Sequence, residues 1–137
     1  MKIIRFLLLL ISITACEFLL PEELGTLPPP AEFGTLQGHV SIGPLMPVMR
    51  EGEPEPTPAP EVYAARQIVI YSADGEDEVA RAEIDYQGNY QISLPIGEYL
   101  VDINRIGIDS AAGLPTTVQI DHQSVTTLDI DIDTAIR

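Results

Sequence analysis

Asp85-Tyr86-Gln87-Gly88-Asn89-Tyr90-Gln91-Ile92-Ser93-Leu94-Pro95-Ile96-Gly97-Glu98-Tyr99-Leu100-Val101 is the stretch that decides the fold. Tyr90, Ile92 and Leu94 alternate with Asn89, Gln91 and Ser93. Tyr99, Val101 and Ile103 then oppose Glu98, Leu100 and Asp102, with Leu100 the one apolar exception. Successive strand side chains point to opposite faces, so each run reads as a half-buried β-strand. Gly88 and Gly97 suit the φ > 0 conformations of tight hairpin turns. Tyr90 and Tyr99 share the phase of the core positions, which lets each ring pack while its hydroxyl finds a partner at the rim.

The same period extends in both directions. Leu36, Gly38, Val40 and Ile42 alternate with Gln37, His39 and Ser41. Ile68 and Ile70, then Ala80, Ala82 and Ile84, and later Val118 and Ile120 continue it. Leu128, Ile130 and Ile132 alternate with Asp129, Asp131 and Asp133. Asp74-Gly75, Ala112-Gly113 and Asp121-His122 mark further turns, and no window sustains helical periodicity. The pattern predicts an all-β domain over 36–137, an antiparallel β-sandwich of about seven strands. One irregular segment interrupts it. Between Gly52 and Glu61, Pro54, Pro56, Pro58 and Pro60 alternate with Glu53, Glu55, Thr57 and Ala59. Alternate prolines cannot donate to a ladder and favour extended, hydrated backbone, so 52–61 reads as a solvated loop.

The motif Asp85-x-x-Gly88-x-Tyr90, followed by Leu94-Pro95-Ile96-Gly97-x-Tyr99-x-Val101, resembles the carboxypeptidase regulatory-like domains, small transthyretin-like sandwiches. Ile96 stands where that pattern usually has a second proline. The resemblance implies the fold and assigns Asp85, Gly88, Tyr90, Pro95, Gly97 and Tyr99 a structural role. It implies no activity, because such modules serve as accessory, spacer or adhesive units. Gly43-Pro44-Leu45-x-Pro47-Val48 and the run Ile130 to Arg137 resemble an uncharacterised bacterial lipoprotein subgroup of this fold. Related adhesin modules can carry a Lys–Asn isopeptide cross-link; the only lysine here is Lys2, in the leader.

That leader gives the address. Lys2 and Arg5 precede an apolar run through Ile13, too short to span a bilayer core of roughly 20 residues. Ile13-Thr14-Ala15-Cys16 resembles the bacterial lipobox. By that resemblance, 1–15 is a signal peptide cleaved between Ala15 and Cys16. Cys16 then carries a diacylglyceryl group and an N-acyl chain. Cys16 is also the one cysteine, and an unpaired exported thiol calls for such an explanation. Residues 16–35, with Pro28-Pro29-Pro30, read as a lipidated tether reaching roughly 60 Å extended or nearer 25 Å as a coil. The expected location is extracytoplasmic, on the bacterial cell membrane or outer membrane.

Charge then limits the partners. Without Lys2 and Arg5, five arginines face 21 acidic residues, a formal charge of −16. Nucleic acid is excluded, since its binding needs clustered cations. The acid also repels anionic headgroups, leaving membrane attachment to the lipid.

No catalytic pattern emerges. His39 and His122 lie at unrelated positions with no cysteine to share a zinc ion, and no nucleophile elbow is present. Alternate residues Asp129, Asp131 and Asp133 sit about 6.6–6.8 Å apart along a strand, which suits a solvated face. Asp74, Glu76, Asp77 and Glu78 crowd one turn and form a candidate weak Ca²⁺ site without EF-hand spacing. Tyr63, Tyr71 and Tyr86 are the expected exposed aromatics for a carbohydrate- or small-ligand-binding alternative. The leading expectation is a non-catalytic envelope module with no cofactor beyond its lipid and a protein or polysaccharide partner.

Overall fold

The computed structural model describes residues 29–48 and 50–136. Two sheets pack face to face around one apolar core. The strands are β1 (Phe33–Gly43), β2 (Gln67–Ser72), β3 (Glu78–Glu83), β4 (Asn89–Pro95), β5 (Gly97–Ile103), β6 (Ser110–Ala111), β7 (Thr116–Ile120), β8 (Val125–Thr127) and β9 (Ile130–Asp133). The first sheet runs β4-β1-β9-β6, with β8 also on β1; the second runs β3-β2-β5-β7. Inward residues Leu36, Val40, Ile130 and Ile132 meet Ile68, Ile70, Val101 and Ile120, all nearly inaccessible to water. The alternation read from the sequence is what produces this core.

Four expectations need correction. The first sheet is not wholly antiparallel, because β1 pairs with β8 and β9 in parallel. Alternation reports which face a residue occupies and is silent on strand direction. Nine strands replace seven among the described residues, the extra ones being the two-residue β6 and three-residue β8. Strand β1 begins at Phe33, taking 33–35 from the predicted tether. Those residues pair with Pro95, Leu94 and Ser93, and the Thr35 N–H donates to the Ser124 carbonyl. Lastly, one helical turn, α1 (Pro60–Ala64), takes the end of the proline-rich loop. Pro60 at its start has φ preset for a helix and no N–H to leave unpaired, while five residues are too few to show a 3.6-residue period.

The glycine turns also prove different from the predicted hairpins. Gly88 lies between β3 and β4, and Gly97 opens β5 one residue beyond the end of β4, so both sit where the chain crosses from one sheet to the other. Only the Asp74–Gly75 turn, between β2 and β3, closes a hairpin of paired neighbours of these three.

Candidate functional site

The motif residues converge on β4, the outermost strand of the first sheet. At its start, the Asp85 Oδ1 accepts the Gln87 N–H at 2.8 Å and the Asn89 N–H at 2.9 Å. The Asp85 N–H in turn donates to the Asn89 carbonyl at 2.8 Å. These backbone donors, led by Asn89, hold the Asp85 carboxyl below the usual aspartate range. Gly88 has φ +86°, and a Cβ there would lie 2.8 Å from the Val40 carbonyl oxygen. Its own carbonyl accepts the Val40 N–H at 2.7 Å, docking the turn on β1.

Tyr90 locks the middle. Its ring is buried and its hydroxyl donates to the Leu128 carbonyl at 2.6 Å. Burial first, and the Asp129 charge second, push its phenol well above the ordinary tyrosine value, so it remains a donor. The Leu128 carbonyl comes in so close to Gly38 that any Cβ at that position would collide with it. Here β8 gives way to β9, and the Asp129 Oδ1 accepts the His39 N–H at 2.9 Å in place of a backbone carbonyl. At the far end of β4, the Tyr99 hydroxyl donates to the Pro95 carbonyl at 2.9 Å. Asp85, Gly88, Tyr90, Pro95 and Tyr99 therefore brace one strand, and Gly97 opens the strand that follows it.

A shallow groove of about 490 Å³ lies beside this strand, lined by Gln37, His39, Glu83, Asn89, Gln91 and Asp129 among others. His39 Nδ1 is 3.1 Å from the Asn89 Oδ1. Nothing in the groove pairs a nucleophile with a base.

The acids of the β2–β3 hairpin hold their own turn. The Asp74 Oδ1 accepts the Ser72 hydroxyl at 2.5 Å and the Glu76 N–H at 3.0 Å, and both lower its pKa, the hydroxyl more. The Asp77 N–H donates to the Ser72 Oγ at 3.1 Å. Glu78 turns away to receive Arg81 in two bonds, at 2.6 and 2.9 Å, which lower its pKa. Asp74, Glu76, Asp77 and Glu78 are thus adjacent in the chain without converging, and no group of three or more acidic, histidine or cysteine side chains among the described residues could hold a metal ion. Asp129 serves His39, while the Asp133 Oδ1 accepts the Ala135 N–H at 2.7 Å. His122 faces Glu32 at 3.9 Å, remote from His39 in the fold.

Tyr63 departs from expectation. It is 5% exposed, because α1 turns it into the core beside Gly88, and it offers no stacking surface. Tyr71 is half-buried and only Tyr86, at 69%, is widely exposed.

One polar pair had no sequence signal. The Arg66 Nε donates to the Asp109 Oδ2 at 2.8 Å, with 11% and 4% of their side chains exposed. The Arg66 Nη1 also donates to the Val62 carbonyl. Arg66 precedes β2 and Asp109 precedes β6, so the pair straps the two sheets together. Cys16 and Ala15 lie outside the described residues, and none of the described helices is long and apolar enough to cross a membrane.

No family model matches this chain, and no curated protein is similar to it in sequence. Among solved structures it is similar to GBS52, the minor pilin of Streptococcus agalactiae, at 17% identity and a TM-score of 0.50. That alignment covers 75% of this chain and 45% of the pilin. A DUF3823 family protein from Parabacteroides merdae is also similar, at 17% identity and a TM-score of 0.45, over 74% of this chain and 46% of the other. The chain spans less than half the length of either. At such identity, the pilin match shows a shared all-β sandwich.

Proposed function

We propose that this chain is a bacterial cell-envelope lipoprotein whose carboxypeptidase regulatory-like sandwich serves as a non-catalytic structural or interaction module. The observation that carries the reading is Ile13-Thr14-Ala15-Cys16 closing a basic, then apolar, leader. Cleavage before Cys16 removes 1–15, and acyl chains on the thiol and new amine anchor a tether that runs to β1. Each buried methylene contributes about 0.8 kcal/mol, so two or more chains hold the protein stably.

The module reading draws support from the motif residues. Asp85, Gly88, Tyr90, Pro95 and Tyr99 are engaged in bonds that brace β4, as a structural role requires. The carbohydrate-binding alternative loses Tyr63, one of its three aromatics, and keeps the half-buried Tyr71 and the exposed Tyr86.

Metabolic labelling with an alkyne fatty acid tests the anchor. The wild-type chain should take up label and Cys16→Ser should not. Equal labelling of the two would refute the assignment.

A further inference from the structure

The groove beside β4 is built from rows of residues on the outer face of the first sheet, where β4, β1 and β8 lie side by side. Gln91, Gln37 and Thr127 form one row, each directly opposed to the next in register. Ser93, Thr35 and Val125 form the adjoining row, and Pro95 with Phe33 the one after it. These eight residues carry no charge, in a chain of net charge −14. The outer face of the second sheet differs, since Arg81, Glu98 and Asp102 stand on it.

Neighbouring strands lie about 4.8 Å apart, so the row from Gln91 to Thr127 spans about 10 Å. Its three residues all line the groove of about 490 Å³, and none of their side chains bonds another described residue. Each amide presents a donor and an acceptor, and the threonine hydroxyl presents both. A ligand that satisfies the row must therefore donate and accept at every position. Anions only accept and ammonium groups only donate, whereas sugar hydroxyls do both. Glu83, Asp85 and Asp129 edge the same groove and turn acidic ligands away. Asp85 and Asp129 already hold backbone N–H groups, so these acids rim the groove without converging on a cation. Two rows away, about 13 Å along β1, Phe33 is 47% exposed and leaves an apolar surface open at the end of the face.

Resting on the interaction-module reading, we infer that this groove binds a neutral saccharide chain lying along β1. Its hydroxyls bond Gln91, Gln37 and Thr127, and the C–H face of one ring rests on Phe33. The bonds are few and open to water, so affinity for a short oligosaccharide is about millimolar. A polysaccharide is then held by several chains at once.

NMR titration of the full chain, in a sugar-free detergent, with cellohexaose, laminarihexaose and mannohexaose tests the inference. At least one should shift the side-chain amides of Gln37 and Gln91 and the Thr127 methyl together, saturably and with little dependence on salt. Gln37→Ala, Gln91→Ala and Phe33→Ala should each weaken that binding about three- to tenfold, and Tyr86→Ala should not. Gln91 is exposed, so its variant should keep the wild-type thermal midpoint, which separates a lost contact from a lost fold. Cys16→Ser should bind as the wild type does, so loss of saccharide binding and loss of fatty-acid label are separate failures.

No saturable shift with any of the three hexasaccharides overturns the proposal. So does binding that moves Tyr71 and Tyr86 instead, or that survives Gln37→Ala and Gln91→Ala combined. Binding of a chitosan hexamer alone, abolished by salt, would mark a cation site and overturns it as well.

Discussion

Strands β3 and β4 are consecutive in the chain and each ends a sheet, yet their exposed edges are guarded by different chemistry. On β3 the guard is charge. Glu78, Arg81 and Glu83 occupy six residues, Arg81 grips Glu78 and reaches Gln67 at 3.1 Å, and a bulge at Ile70/Tyr71 disturbs the adjacent register. An incoming strand would have to desolvate those groups. On β4 the guard is exhaustion: Asp85 and Tyr99 use up the backbone groups at either end. Charge discourages every partner, whereas exhaustion leaves a window of defined length. The Asp85-to-Tyr99 motif is thus legible as edge protection.

The comparison presupposes that the sheets stay together, and the Arg66–Asp109 strap is the place to break that. Asp109→Ala leaves a buried guanidinium without its carboxylate, expected to cost about 3–5 kcal/mol. The urea midpoint should fall with an unchanged slope, and exchange should accelerate in both sheets alike. A loss under about 1 kcal/mol would mean that Arg66 swings out to water and that the strap is dispensable. Gly38→Ala strikes one sheet only. Its Cβ meets the Leu128 carbonyl, and such overpacking costs about 1–3 kcal/mol. Faster exchange should centre on β1, β8 and β9, leaving β2 and β5 slower to respond. Uniform acceleration would show that the sheets do not open separately.

Tyr90→Phe sharpens the contrast with less force. It keeps the buried ring and deletes the hydroxyl donated to Leu128, an expected loss of about 1 kcal/mol. The ring itself contributes more by burial, so Tyr90→Ala should lose several times as much in the same urea titration. Equal losses in the two variants would assign Tyr90's role to its hydroxyl alone.

Much of this was readable from alternation. The inward set Leu36, Val40, Ile42, Tyr90, Leu94, Val101 and Ile103 was predicted and is buried. What alternation hides is adjacency. A glycine turn looks the same in sequence whether it joins paired strands or crosses between sheets, so the hairpin expectation fails at Gly88 and Gly97. Strand β8 is only three residues long and β1 pairs with it in parallel, properties that no local pattern encodes. Arg66 and Asp109 are 43 residues apart and carry no motif. The motif positions were visible beforehand. Their purpose was not, because it depends on which β4 residues face away from β1.

The smallest expected effect separates the two guards by acid. Asp85 has a lowered pKa in the folded chain, so the carboxylate's contribution is fully present above the unfolded value, about 3.9, and is lost as pH falls through the folded one. Protonation weakens the bond from the Asn89 N–H, because a neutral carboxyl is a poorer acceptor, and so loosens the guard at that end of β4. Glu78 is lowered as well, by Arg81, and its loss leaves Arg81 charged on the β3 edge. Acidification should therefore open β4 while β3 stays guarded by its arginine. Asp85→Ala, read at neutral pH, removes the acceptor altogether and should exceed the acid state at β4: faster Asn89 exchange, with Asp85→Asn, which keeps an Oδ1 acceptor, falling between it and the wild type. Arg81→Gln should leave Asn89 untouched. If Asp85→Ala and Arg81→Gln alter Asn89 exchange equally, the edges are coupled and the distinction between them fails.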